Sequence, residues 1–309
     1  MKILILGAGA VGLSVAAKLS RVCDIHAVCR KASADAIREH GFSMSGIWGE
    51  GTYRFSAAEI VPEGERYDYI FISAKSGDTD AICRQFSPII RDTDTVSLQN
   101  GIGNEEIISR YTDFVIGGMI ITGFEWRGDA AVHVSVEAGP MKLGRFPGGT
   151  DTRVDELVTL VAKSGIRAEG SAAIRADLWG KTLYNCALNP LGAIMGVPYG
   201  KLSDQAAWRI VENIVQEAFA VVEAEGLRLQ WSTAQEYLAF LRDVQLPATA
   251  RHHSSMLQDL ARGRKTEIGF INGAVVEKGR IHGIPTPYNA CIVDLIHFRE
   301  SLAGQGGLP

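Results

Sequence analysis

Apolar positions in the first 150 residues fall in short runs, and these alternate with stretches of helical spacing. Ile3–Leu6, Ile25–Cys29, Tyr67–Ser73, Asp94–Leu98 and Phe114–Gly118 are runs of strand length. Between them Val11–Leu19, Ala34–His40, Thr79–Ile90 and Glu105–Tyr111 repeat their apolar residues with a helical period. A nearly continuous apolar run suits a strand buried on both faces. Strand–helix alternation of this kind predicts βαβ units and a mostly parallel sheet. Phe42–Phe55 alternates instead around Gly49-Glu50-Gly51 and predicts an inserted hairpin. Strands at Ala131–Val136 and Met141–Gly144 and a helix at Thr152–Lys163 complete this half.

Beyond about Gly170 the period is helical throughout: Ala173–Asn189, Ala206–Glu225, Thr233–Leu241, Ser254–Arg262, Glu267–Lys278 and Ala290–Glu300. Trp208, Val211, Val215, Ala218, Phe219 and Val222 trace one apolar face, a core stripe, and Gly226 stands where a helix-ending glycine belongs. The expected fold is α/β, a Rossmann-type doubly wound parallel sheet in residues 1–170, followed by an all-helical C-terminal domain in 171–309.

Composition narrows the partners. The 309 residues carry 31 basic and 35 acidic side chains, a net charge of −4, so neither nucleic acid nor a membrane surface is indicated. No apolar stretch reaches the roughly 18–20 residues of a membrane span. The N-terminal run resembles a secretory signal only superficially, because Gly7, Gly9 and Gly12 interrupt it. Cys23, Cys29, Cys83, Cys186 and Cys291 are scattered and odd in number, as expected for reduced thiols of a cytoplasmic protein. His252 and His253 are adjacent rather than one helical turn apart, so no metal is expected.

Chemistry enters at the first strand–helix junction. Gly7-Ala8-Gly9-Ala10-Val11-Gly12 has the spacing GxGxxG, which lets a chain turn tightly, approach a pyrophosphate and pack helix on strand. The helix start adds free N–H groups and partial positive charge. The alternative is a glycine turn with no ligand. NAD-binding domains usually place Asp or Glu at the end of the second strand; here the chain has Arg30 and Lys31. A guanidinium can grip a 2′-phosphate with paired charge-assisted bonds, so NADP is expected, with Arg30 as the main contact. The bland alternative is a solvated pair of loop cations. Two more loops, carrying Lys75 and Asn100, follow predicted strand ends, where ligands of such sheets collect.

In the helical half, Lys181, Asn185 and Asn189 recur every four residues within roughly 80° of one helix face. Two readings stand: a polar edge facing substrate and water, or a helix–helix hydrogen-bond network. The polar segment His252–Gly273 adds Ser254 and Ser255 as capping residues and Glu267 as a candidate buried carboxylate.

GAGAVG, SAKS, LQNGIG, LWGKTLYNCALNPL, SSMLQDLARGRKTEI, ING and GIPTPYN follow one another along nearly the whole chain. In these segments the sequence resembles the ketopantoate reductase (2-dehydropantoate 2-reductase) family. The resemblance implies an NADPH-dependent enzyme with a Rossmann domain and a helical domain that closes over the substrate. It would reduce 2-dehydropantoate (ketopantoate) to pantoate for pantothenate and coenzyme A synthesis. It further implies Lys181 as proton donor, with Asn185, Asn189 and Ser255 lining the substrate site and Asn100 between nicotinamide and substrate. Lys75 and Glu267 would fix the cofactor and the lysine network. That chemistry suits the residues, since an ammonium can stabilise the charge that develops on a reduced carbonyl.

The chain departs from the family pattern at three positions. Tyr199 stands where many relatives have asparagine, Gly192 where threonine is common, and Gly269 where aspartate is common. These differences keep a paralogous reductase of another branched 2-keto acid in view; a non-catalytic NADP-binding sensor is a separate alternative. The long apolar helix Ala206–Glu225 permits a homodimer through the helical domain.

Overall fold

The computed structural model describes residues 1–303 and divides the chain into two units. One comprises Met1–Gln99 and Asn104–Asp177; the other comprises Asn100–Gly103 and the chain from Leu178 onward.

The first unit holds β1 (Lys2–Leu6), β2 (Asp24–Val28), β3 (Phe42–Gly46), β4 (Gly51–Tyr53), β5 (Ser56–Ala58) and β6 (Tyr69–Ile72). It continues with β7 (Asp94–Ser97), β8 (Val115–Met119), β9 (Thr122–Gly128), β10 (Ala131–Glu137), β11 (Met141–Arg145) and β12 (Ala168–Gly170). Eight strands form one sheet in the order β12-β11-β8-β7-β6-β1-β2-β5. Every neighbouring pair is parallel except β8 with β11. Strand β1 shows why its sequence is apolar without alternation. Ile3 and Ile5 enter one core and Leu4 and Leu6 the other, on opposite faces of the sheet.

Helices α1 (Ala10–Leu19), α2 (Lys31–His40), α3 (Thr79–Gln85), α4 (Ser87–Ile90), α5 (Asn104–Ile108) and α6 (Thr152–Lys163) accompany these strands. The helix expected over Thr79–Ile90 is in fact two, parted at Phe86. Pro88 lies in the first turn of α4, where its missing N–H does least harm. The expected hairpin is present as β3 and β4, but it belongs to a second sheet in the order β4-β3-β10-β9. Strand β9 escaped the sequence reading although Phe124 and Trp126 alternate there with Glu125 and Arg127. β12, at three residues, is too short to carry a period.

Helix α7 (Ile174–Met195) opens the helical part. The division expected near residue 170 falls at Asp177–Leu178, because Asp177 is bonded back into the first unit, by Lys142 Nζ (2.7 Å) and by Ser171 Oγ (2.5 Å). A 3-10 turn at Tyr199–Ser203 follows, then α8 (Gln205–Ala224), α9 (Ala234–Phe240), a π turn at Leu241–Gln245 and α10 (Leu246–Ala248). The described residues close with α11 (Ser255–Ala261), α12 (Asn272–His282) and α13 (Pro287–Ala303). The apolar face of α8 is buried inside its own unit.

Two sequence expectations are corrected here. The helix expected to end at Asn189 runs through Pro190 to Met195. Proline cannot supply the N–H that the Cys186 carbonyl, four residues earlier, would accept. The Asn272 amide supplies it instead, at 3.3 Å, and donates also to Asn289 Oδ1 at 3.0 Å. Asn289 in turn donates to the Ile214 carbonyl and to Glu217. Buried asparagines thus tie α7, α8, α12 and α13 together. The second correction concerns Glu267, expected at a helix start. It precedes a 3-10 turn, Ile268–Phe270, and α12 begins only at Asn272.

Among the described residues no helix is long and apolar enough to cross a membrane. Nor, among them, does any group of three or more His, Cys, Asp or Glu side chains form a metal site.

Candidate active site

The loops after β1, β2 and β6 leave the same edge of the parallel sheet. After β1 the chain turns at Gly7, whose φ of +67° is a conformation L side chains avoid. A Cβ on Gly7 would collide with Ala74, and one on Gly12 with the Ser73 hydroxyl, so both glycines are needed for packing. Gly9 differs. A Cβ there would meet nothing within 4 Å. Ala8 N–H is bonded to the Val28 carbonyl, and the first bond of the α1 ladder is Leu13 N–H to Gly9 C=O, each 2.9 Å. Helix α1 starts at Ala10 with no side-chain cap and no acid in its first turn. Amides of Ala10, Val11 and Gly12 therefore precede the ladder beside open space, which fits the pyrophosphate of a dinucleotide.

Arg30 is exposed at the cap position of α2, just past the end of β2. Its neighbour Lys31 is engaged along the helix by Asp35 at 2.8 Å, an arrangement that leaves Arg30 as the cation available at this strand end. Lys75 is exposed at the start of the 3-10 turn Ser76–Asp78 after β6. Gln99 braces that loop, donating to the Ala74 carbonyl (3.1 Å) and to Thr79 Oγ1 (2.8 Å).

The second unit gathers a different set. Lys181 Nζ donates to Asn100 Oδ1 at 2.7 Å, and Asn100 Nδ2 donates to Glu267 Oε2 at 3.1 Å. Glu267 is buried and Lys181 half-buried. An ionised carboxylate only accepts, so it turns the amide nitrogen toward itself and the amide oxygen toward the ammonium. The loop bearing Asn100 is anchored by Ile102 N–H to the Phe270 carbonyl at 2.8 Å. A side chain on Gly101, φ +85°, would strike that same carbonyl. Glu300 of α13 holds the other arm, accepting from Thr266 N–H at 2.7 Å and from Lys265 at 3.1 Å.

Asn185 and Asn189 lie one and two turns along α7 from Lys181, each only 7% exposed. Among the described residues the Asn185 carboxamide has no hydrogen-bond partner. Asn189 Oδ1 accepts from the Tyr199 hydroxyl, a partner that sequence reasoning did not pair with it. Asn100 and Tyr199, partners of Lys181 and Asn189, stand on a loop and a 3-10 turn rather than in a helix–helix network. That network exists on α7 through the Cys186 carbonyl, with Asn272 and Asn289 as its members. Ser255 is exposed at the first position of α11 and makes no hydrogen bond to the stripe; its neighbour Ser254 is the buried cap, accepting from Leu257 N–H at 3.0 Å.

Comparison with known proteins bears on both units. Residues 3–148 match the family model described as "Ketopantoate reductase PanE/ApbA", and residues 173–300 match its C-terminal counterpart. The chain is 32% identical to a 2-dehydropantoate 2-reductase of Pyrococcus horikoshii, over 98% of this chain and 99% of that one. Among solved structures, a PanE/ApbA family ketopantoate reductase from Ralstonia eutropha superposes with a TM-score of 0.87 at 27% identity. It covers 98% of this chain and 100% of that one. A D-mandelate dehydrogenase, solved with NADH and anilino(oxo)acetate, superposes with a TM-score of 0.89 at 26% identity. There the coverage is 98% of this chain and 99% of that one.

Proposed function

The chain belongs to the ketopantoate reductase family of oxidoreductases, and from that premise we propose that it reduces a 2-keto acid with NADPH, with 2-dehydropantoate as first substrate. The observation that carries the reading is one helix face. It presents an ammonium held by an amide–carboxylate chain, followed by two carboxamides, each only 7% exposed, that can donate to a ligand. A 2-keto acid, with carboxylate and carbonyl oxygens and no donor of its own between them, is the matching ligand.

When bound, reduced nicotinamide supplies a hydride to the carbonyl carbon. The residues then manage charge and position. Negative charge grows on the carbonyl oxygen, and Lys181 Nζ stabilises it and gives it a proton. Asn100 keeps Nζ in place, and Glu267 keeps Asn100 from turning over. Asn185 and Asn189 donate to the substrate's oxygens. In the first unit the Gly7–Gly12 turn holds the pyrophosphate, Lys75 adds positive charge, and Arg30 binds the 2′-phosphate that makes the cofactor NADPH rather than NADH. Ser255, exposed at the first position of α11, is the remaining candidate for the substrate site. In a cytoplasmic setting the product serves pantothenate and coenzyme A synthesis.

A second reading has its own support. Tyr199 and Gly192 reshape the pattern beside Asn189, and the likeness to a D-mandelate dehydrogenase, solved with a ligand built on an oxoacetate, favours a different 2-keto acid. Loss of NADPH absorbance with 2-dehydropantoate, run beside NADH and other branched and aromatic 2-keto acids, separates the readings. Fast turnover of 2-dehydropantoate supports the first. Turnover of another keto acid alone selects the second. NADPH binding with no turnover on any of them would make the chain a sensor and end both.

A further inference from the structure

We infer that Tyr199 is a positioning residue for the keto acid: its phenol fixes the Asn189 carboxamide with the amide N–H groups toward substrate, and Gly192 is the gap that admits its ring. The inference rests on the reading of the α7 stripe as the substrate-binding face.

Tyr199 opens the 3-10 turn after α7, with its own N–H bonded to the His252 carbonyl at 3.0 Å. Its side chain is 2% exposed, and its hydroxyl donates to Asn189 Oδ1. Burial pushes the phenol well above its ordinary range, so it remains a neutral donor at any pH an assay would use. Around the ring, Tyr184 packs edge-on at 5.9 Å and His252 tilts against it at 5.4 Å. Tyr184 is itself held, its hydroxyl bonded to Thr249 Oγ1 at 3.0 Å. The ring of Tyr199 therefore has nowhere to swing.

A carboxamide has one accepting arm and one donating arm. With the oxygen arm already accepting from the phenol, the amino arm of Asn189 is the one left free to donate to a ligand. Without the phenol the amide could turn over and aim its oxygen at the oxygens of a keto acid, which repels them. Gly192 completes the arrangement. A Cβ at that position would lie 3.4 Å from Cδ1 and Cε1 of the Tyr199 ring and from the Val197 carbonyl. A single carbon reaches contact there, and the γ-branches of threonine would drive the ring off its site. The two unusual residues, Tyr199 and Gly192, are thus one structural unit.

Full-length wild type, Tyr199→Phe, Gly192→Thr, Tyr199→Asn and the Gly192→Thr/Tyr199→Asn double variant test this by steady-state kinetics on a panel of 2-keto acids. Tyr199→Phe is expected to raise the keto-acid KM about tenfold while the NADPH KM stays within twofold. Gly192→Thr should cause a similar loss in the wild-type background and a much smaller one beside Tyr199→Asn, where there is no ring to displace. A keto-acid KM within twofold of wild type for Tyr199→Phe overturns the inference. So does an equal rise in the NADPH KM, which assigns Tyr199 to the fold alone. If Tyr199→Phe does not fold, additive losses in the Gly192–Tyr199 cycle overturn it instead. A wild type that binds NADPH but turns over no keto acid ends the reading of the function, and this inference with it, a result plain before any variant is measured.

Discussion

What a glycine's missing side chain would meet decides whether the glycine can be replaced, and the three glycines of the first loop differ on this point. Gly7 and Gly12 are closed off by Ala74 and Ser73; Gly9 faces open space with an ordinary φ of −93°. Gly9→Ala should therefore fold with an unchanged Tm yet, on the proposed function, bind NADPH at least about tenfold more weakly, because its methyl group would stand where the phosphates approach. Gly12→Ala should lower Tm by several degrees, as expected for overpacking of about 1–3 kcal/mol. Paired thermal melts and NADPH titrations check both, and a Gly9→Ala protein with wild-type affinity would remove the loop from the cofactor site. At Lys181, replacement by alanine should lower kcat by at least about a hundredfold, the usual scale for a general acid, with the NADPH KM nearly unchanged. At this scale spacing made two structural features legible, the GxGxxG turn after β1 and the four-residue stripe on one face of α7. The bond from Tyr199 to Asn189 was not legible. Its residues are ten apart, and a helix end and a turn separate them.

Elements depend on single buried groups that propensity does not reveal. Helix α7 passes Pro190 because Asn272 donates to the carbonyl that proline strands. Asn272→Ala should cost about 2–3 kcal/mol, measured as a lower urea midpoint at constant m, since it strands the buried Cys186 carbonyl and an Asn289 oxygen together. Glu300 ties the segment before Glu267 to α13. Burial opposes its ionisation, but Thr266, Lys265 and His297 outweigh that and hold its carboxyl below the ordinary 4.5. Its contribution is therefore complete above pH 4.5 and is lost as pH falls through the lower folded value. Glu300→Gln should be less stable than wild type at pH 7, and the gap should narrow steadily below pH 4.5 in urea titrations. A constant gap across that range would mean that Glu300 is not the titrating group. Helix periods were read correctly along most of this half, but not where one helix ended or why. Those limits depend on Asn272 and on the 3-10 turn at Ile268–Phe270, both set by distant partners.

For the whole molecule, ligand binding is a stability measurement. NADPH at a hundred times its Kd should stabilise the folded chain by about 2.7 kcal/mol, and NADH at the same concentration by much less. Arg30→Ala should erase most of that difference by weakening NADPH alone. An equal loss for both cofactors would remove the 2′-phosphate assignment. The sequence by itself determined the βαβ order, the parallel core strands, the glycine loop and the change to an all-helical second half. These follow from local period and from the steric demands of glycine, which neighbouring residues are enough to express. Only the tertiary structure decided that residues 100–103 join the helical unit, that Asn100 links Lys181 to Glu267, and that Tyr199 claims one arm of Asn189. A hydrogen bond between residues 81 or 167 positions apart leaves no periodic trace in the chain, because it exists only once folding has brought its two ends together.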